Sequence, residues 1–91
     1  MAVEIRLPTV LRQHAGGQAT VKANGATLGE VLQDLTAQYP SLKDQVVTGD
    51  GALHKFVNVY KNDEDVRYLD KLDTELAEGD VVSILPAVAG G

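Results

Sequence analysis

The stretch Val81-Val82-Ser83-Ile84-Leu85-Pro86-Ala87-Val88-Ala89-Gly90-Gly91 decides the fold. Its first five residues form an apolar run that reads as a buried strand. Pro86 cannot donate a ladder hydrogen bond, so the strand is expected to stop at Leu85. Beyond it nothing is large, charged or helix-directing, and a terminal Gly-Gly packs poorly while losing the most conformational entropy on ordering. The reading is therefore a folded unit over residues 1–85 and a flexible C-terminal tail over 86–91. Six extended residues reach about 20 Å, far enough to enter a deep site on another protein.

Working back from that strand, Glu78-Gly79-Asp80 is a turn, Leu72–Leu76 reads as one helical turn and Val66–Leu69 as a short strand. Asn62-Asp63-Glu64-Asp65 is a turn, and Phe56-Val57-Asn58-Val59-Tyr60 is a strand rich in β-branched and aromatic residues. At the other end, Val3, Ile5 and Leu7 alternate with Glu4 and Arg6, a strand with one wet face. Pro8 bends it, with Thr9 to Leu11 as an irregular extension. Gly16-Gly17 marks a turn, and Ala19, Val21 and Ala23 alternate in a second strand that Asn24-Gly25 closes. Thr27-Leu28-Gly29-Glu30 is a capping box in which Glu30 reaches back to Thr27. Leu28, Val31, Leu32 and Leu35 then form an apolar stripe, giving a helix over 28–38 that Tyr39 continues and Pro40 stops. Leu42, Val46 and Val47 suit a short helical turn beneath the sheet, and Thr48-Gly49-Asp50-Gly51 is a loop. The order β-β-α-β-β-β is α+β. It fits a β-grasp, ubiquitin-like fold: a mixed sheet of four to five strands on one main helix.

Ninety-one residues with 44% apolar side chains make one small globular domain. The net charge of −5, from 8 basic and 13 acidic side chains, argues against a nucleic-acid partner. The absence of cysteine excludes disulfides, thiolate catalysis and iron–sulfur ligation. No window is apolar enough to span a membrane and no signal segment precedes the first strand, so the expected location is cytoplasmic.

Few side chains offer chemistry. His14 and His54 lack a converging second ligand or nucleophile and read as solvated loop residues. Asn62–Asp65 lacks the glycine a calcium loop needs at its sixth position, where Arg67 stands. Asp63, Glu64, Asp65, Asp70, Asp73, Glu75, Glu78 and Asp80 crowd the last third. They read either as a solvated face or as a steering surface beside the tail for a basic partner groove. The remaining reactive group is the Gly91 carboxylate. A carboxylate is a poor electrophile, so a partner must first adenylate it with ATP and Mg²⁺, after which a sulfur donor or an amine attacks. Small residues from Pro86 through Ala87, Val88, Ala89 and Gly90 would pass a narrow channel. Strand alternation gives Leu85 two readings, buried or exposed at the tail root, in the second case with Phe56 or Tyr60 on the same face. No catalytic group, metal site or bound cofactor is expected in this chain.

Three stretches carry a family likeness: Leu11-Arg12 followed by Gly16-Gly17; Phe56–Tyr60 with Asn62–Arg67; and Ile84–Gly91. The whole chain resembles the ubiquitin-like bacterial sulfur carriers of the ThiS/MoaD superfamily, most of all the CysO-type branch that serves cysteine biosynthesis. The resemblance implies that an E1-like adenylating enzyme activates Gly91 and that sulfide or a sulfurtransferase domain converts it to a thiocarboxylate. It implies a PLP-dependent cysteine synthase as sulfur acceptor and a metal-dependent peptidase that restores the Gly-Gly end. It also suggests related pathways to sulfur-containing natural products. A molybdopterin-synthase small subunit, a ubiquitin-like protein modifier and an inert binding module remain as alternatives.

Overall fold

A computed structural model describes residues 2–48, 53–54 and 57–86. Five strands form one sheet in the order β2-β1-β5-β3-β4. They are β1 (Ala2–Arg6), β2 (Thr20–Asn24), β3 (Val57–Lys61), β4 (Glu64–Asp65) and β5 (Val81–Pro86). β1 pairs antiparallel with β2 and parallel with β5, while β3 pairs antiparallel with both β5 and β4. The first and last strands thus lie side by side at the sheet centre, with the main helix α2 (Leu28–Gln38) covering one face. This is the expected β-grasp topology.

The local sequence explains the main elements. Val3 and Ile5 are fully buried, while Glu4 and Arg6 turn to the other face. Helix α2 begins and ends where the capping residue and Pro40 place it, and it buries Leu28, Val31, Leu32 and Leu35. Thr27 Oγ1 accepts the Glu30 N–H at 3.3 Å. The Glu30 carboxylate, however, accepts from the Ala26 N–H at 2.9 Å rather than from Thr27. A Cβ at Gly25 would lie 2.6 Å from the Val31 nitrogen, so only glycine lets β2 pass this close to the helix. Residues 74–76 satisfy further groups at the helix start: the Leu28 N–H donates to Thr74 O and the Leu76 N–H to Ala26 O, both at 2.9 Å.

Elsewhere tertiary context overrides the sequence reading. Thr9–Arg12 is a short helix, α1, and Gln13–Ala15 a 3-10 turn, not an irregular extension of β1. The cause is burial of Leu11 and Ala15 against the core while Val10 stays outside. Gly16 and Gly17, at φ 68° and 83°, then turn the chain back into β2. The strand after β3 is Glu64–Asp65, where a turn was expected, because Asn62 at φ 55° makes the hairpin tight enough for Tyr60 to pair with Asp65. Val66–Tyr68 is consequently a 3-10 turn rather than a strand. The helical turn expected over Leu72–Leu76 is a 3-10 turn at Lys71–Asp73, after which Glu75 bridges to Thr27. The helical segment after Pro40 does form, as a 3-10 turn at Pro40–Leu42 and a helix α3 (Lys43–Val46), with Leu42 and Val46 fully buried. Strand β5 runs one residue further than expected: Pro86 is its last residue, opposite Val57. A terminal strand proline keeps its carbonyl even though it lacks an N–H. The expected loop at Gly49-Asp50-Gly51 lies outside the described residues.

Candidate functional site at the root of the C-terminal tail

Strand β5 sorts its side chains between two faces. Val82 and Ile84 enter the core at 0% and 1% exposure, whereas Leu85 is 45% exposed on the open sheet face. The open-face reading of Leu85 is the correct one. Asn58 stands opposite Leu85 and Tyr60 opposite Ser83, so Tyr60 shares this face. Phe56 lies outside the described residues. So do Ala87, Val88, Ala89, Gly90 and Gly91, the expected channel-threading and reactive positions, which continue directly from Pro86.

Pro86 sits on the shared rim of two grooves. One, of about 580 Å³, is lined by Arg6, Pro8, Val10, Arg12, Ser83, Leu85 and Pro86, among others. The other, of about 340 Å³, runs past Val10, Asp44, Gln45, His54, Val57 and Pro86. The bend at Pro8 builds this arrangement. It turns α1 back toward the end of β5 and leaves Val10 61% exposed beside it. The Arg12 Nε–H donates to the Leu7 carbonyl at 3.2 Å, which holds that side chain along the bend. Arg6 pairs with Glu4 at 3.3 Å on the open face. Sequence reading missed Arg6, Val10 and Arg12 as members of the site. The only signal was the proline after β1, which foretells a bend but not its direction.

Part of the acidic stretch lies at the end of the sheet away from Pro86. Asp80 directly precedes β5 and Pro86 closes it, so the two are about 20 Å apart along an extended strand. Asp63 and Glu64 lie in the hairpin at that same far end, while Asp70 and Asp73 border a groove against β3 that shares His54 and Val57 with the groove at Pro86. Two of these acids are built into the fold. The Asp65 carboxylate takes Arg67 Nη2 at 2.8 Å and Nε at 3.2 Å, and this hydrogen bonding is the main cause of its lowered pKa. Asp80 accepts the Ala77 N–H at 2.8 Å, which chiefly lowers its pKa, helped by the Asn62 amide and the Lys61 charge. Asn62 in turn accepts the Val81 N–H at 3.1 Å, fastening the hairpin to the start of β5. For Asp65 and Asp80 these are structural roles. His14 and His54 are both half-buried rather than fully solvated, and they lie on different segments. Among the described residues no three His, Cys, Asp or Glu side chains are grouped to hold a metal ion. No helix among them is long and apolar enough to cross a membrane.

Residues 5–91 match the family model described as the ThiS family. The chain belongs to the ThiS family. It is 52% identical to the sulfur carrier protein CysO of Mycobacterium tuberculosis, over the full length of both chains. The crystal structure of that CysO superposes with a TM-score of 0.88, covering 94% of this chain and 99% of the other. In the crystal structure of the BexX/CysO complex from Amycolatopsis orientalis, a chain 46% identical superposes with a TM-score of 0.88. That match covers 98% of this chain and 99% of the other. The small archaeal modifier protein 3 of Haloferax volcanii is 38% identical over the whole of both chains. This ThiS-family member therefore has the ubiquitin-like β-grasp fold of CysO, and its sulfur-carrier homologues extend through Pro86 to the last residue.

Proposed function

We propose that this ThiS-family protein carries sulfur as a thiocarboxylate on Gly91. The supporting observation is that the chain runs from a rigid central strand at Pro86 into Ala87-Val88-Ala89-Gly90-Gly91, in a chain half identical to CysO. An E1-like enzyme, using ATP and Mg²⁺, directs a Gly91 carboxylate oxygen onto the α-phosphorus of ATP, and pyrophosphate leaves. Hydrosulfide, supplied free or through a sulfurtransferase domain, then attacks the acyl carbon of the adenylate. The new C–S bond expels AMP and releases a proton. The thiocarboxylate sulfur next displaces phosphate from O-phosphoserine on a PLP-dependent cysteine synthase. The S-acyl cysteine so formed passes its acyl group from sulfur to its own amine, freeing the thiol, and a metal-dependent peptidase hydrolyses the resulting amide with one water, releasing cysteine and restoring the Gly91 carboxylate. On this reading the protein works in the cytoplasm, and the chain acts as a carrier rather than a catalyst. Its fold contributes a docking surface around Leu85 and a thread that fits a dry channel.

The test is intact-protein mass spectrometry after incubation with the activating enzyme, ATP and sulfide. The expected gain is that of one carboxylate oxygen replaced by sulfur, confined to Gly91. Deleting Gly91 should abolish it and leave the thermal unfolding curve unchanged. Absence of the gain with every E1-like enzyme of the source organism would overturn the reading. The likeness to small archaeal modifier protein 3 favours a second reading, in which an amine attacks the adenylate and Gly91 ends in an isopeptide bond. Gly-Gly remnants on lysines after trypsin digestion of cell protein would mark that outcome.

A further inference from the structure

The tail root carries a charge opposite to that of the protein as a whole. Among the described residues the groove that Pro86 closes is lined by two arginines, Arg6 and Arg12, and by no carboxylate, in a chain of net charge −5. Arg6 is 64% exposed at its side chain, and its Nε pairs at 3.3 Å with Glu4 on the same open face, Glu4 itself lying outside the groove's lining. Arg12 keeps its terminal nitrogens available while its Nε is engaged by Leu7 O. Exposed Val10 and Leu85 give the same groove an apolar rim. Across Pro86 the sign reverses, with Asp44 in the adjoining groove.

Chain length fixes what must lie over this surface. Five residues follow Pro86, reaching at most about 18 Å when extended. The folded body measures 29 × 29 × 25 Å, so a protein that engages the last carboxylate in an enclosed site has to approach the face from which the tail leaves. Resting on the carrier reading above, we propose that the activating enzyme docks here with a carboxylate-bearing rim around its channel mouth. Its carboxylates are set against Arg6 and Arg12, and its apolar residues against Val10 and Leu85. The sign change across Pro86 then fixes the rotation of the carrier on the enzyme. A partner with a basic rim is disfavoured by like charge.

The test is ATP–pyrophosphate exchange by the source organism's E1-like enzyme, with the full-length carrier as the varied substrate. Arg6→Glu should raise KM about tenfold or more while kcat stays within about twofold, and Arg12→Gln should act in the same direction. Arg12→Lys should stay near wild type. Added salt should raise the wild-type KM more than that of Arg6→Glu, since surface charge pairs are screened. Glu78→Lys, at the other end of the body, should leave KM unchanged. Thermal unfolding of each variant separates docking from folding. If Arg6→Glu is folded and keeps the wild-type KM and salt dependence, the inference is wrong. If the wild-type protein supports no exchange at all, the carrier reading falls and takes the inference with it.

Discussion

Replacing Gly25 by alanine asks whether the approach of β2 to helix α2 is as tight as it looks. A Cβ there would lie 2.6 Å from Val31 N, 2.8 Å from Glu30 Cβ and 2.9 Å from Glu30 C. Normal contact lies well above 3 Å, and two of the three atoms are backbone in the first turns of α2, which no rotamer change can move. The helix must therefore shift away from the strand end, or the strand end from the helix. Either shift strains the Ala26–Glu30 and Thr27–Glu30 capping bonds and the bonds from Leu28 to Thr74 and from Leu76 to Ala26. Overpacking costs roughly 1–3 kcal/mol and loss of a cap about 1 kcal/mol, so the expected destabilisation is about 2–4 kcal/mol. For a domain of this size that lowers Tm by about 10–25 °C, measurable by circular dichroism or calorimetry. Gly17→Ala is the matched control. It has φ 83° but nothing within 4 Å of a Cβ, so it should cost only the left-handed conformation, about 1–2 kcal/mol. A Gly25→Ala protein that melts within about 3 °C of wild type would refute the argument, because the helix and strand could then separate freely.

Leu35→Ala empties a fully buried position and should cost about 2–5 kcal/mol in urea unfolding. Leu85→Ala should cost under about 0.5 kcal/mol yet raise KM in the exchange assay, because Leu85 is exposed at the tail root. Thr27→Ala removes the hydroxyl that caps α2 and should lose about 0.5–2 kcal/mol, whereas Thr27→Ser should keep most of it. Asp65 and Asp80 both have lowered pKa values, so their stabilisation is complete above the unfolded carboxylate pKa and is lost as pH falls through the folded one. Stability measured by urea midpoint should therefore decline on the acid side, and Asp80→Asn should flatten that decline. An unchanged acid limb in Asp80→Asn would show that its bonds to Ala77 and Asn62 do not outlast protonation in the way described.

What could be read from the sequence was what its own neighbourhood dictates. Helix α2 announces itself by a cap, a 3.6-residue apolar stripe and a proline, all local signals, and both ends fall where they point. The alternation of Val82, Ile84 and Leu85 foretold which side chain remains outside once one face meets a helix. Strand β4 gave no such sign. Glu64 and Asp65 have poor strand propensity and are extended only because the Asn62 turn lays them against Tyr60 and Lys61. Helix α1 is too short for a period, and its existence depends on the pocket Leu11 finds after Pro8 bends the chain. The site suffered most from this non-local logic. Arg6 reads as the wet face of a strand, and nothing adjacent to it says that Arg12 and Leu85 will meet it across the same groove. The acids are conspicuous in sequence, but composition does not say where they gather: Asp63, Glu64 and Asp80 collect at the end of β5 away from Pro86.

The position of β5 has a mechanical meaning as well. It is held by β1 on one edge through a parallel ladder and by β3 on the other through an antiparallel one. When an enzyme grips the tail and tension runs into Pro86 along the strand axis, both ladders are loaded in shear, so their hydrogen bonds share the load instead of parting one after another. The tail thus leaves from a strand held on both edges. On the proposed carrier reading, a partner that draws on the tail would load this doubly held strand, and the face beside it would keep its shape.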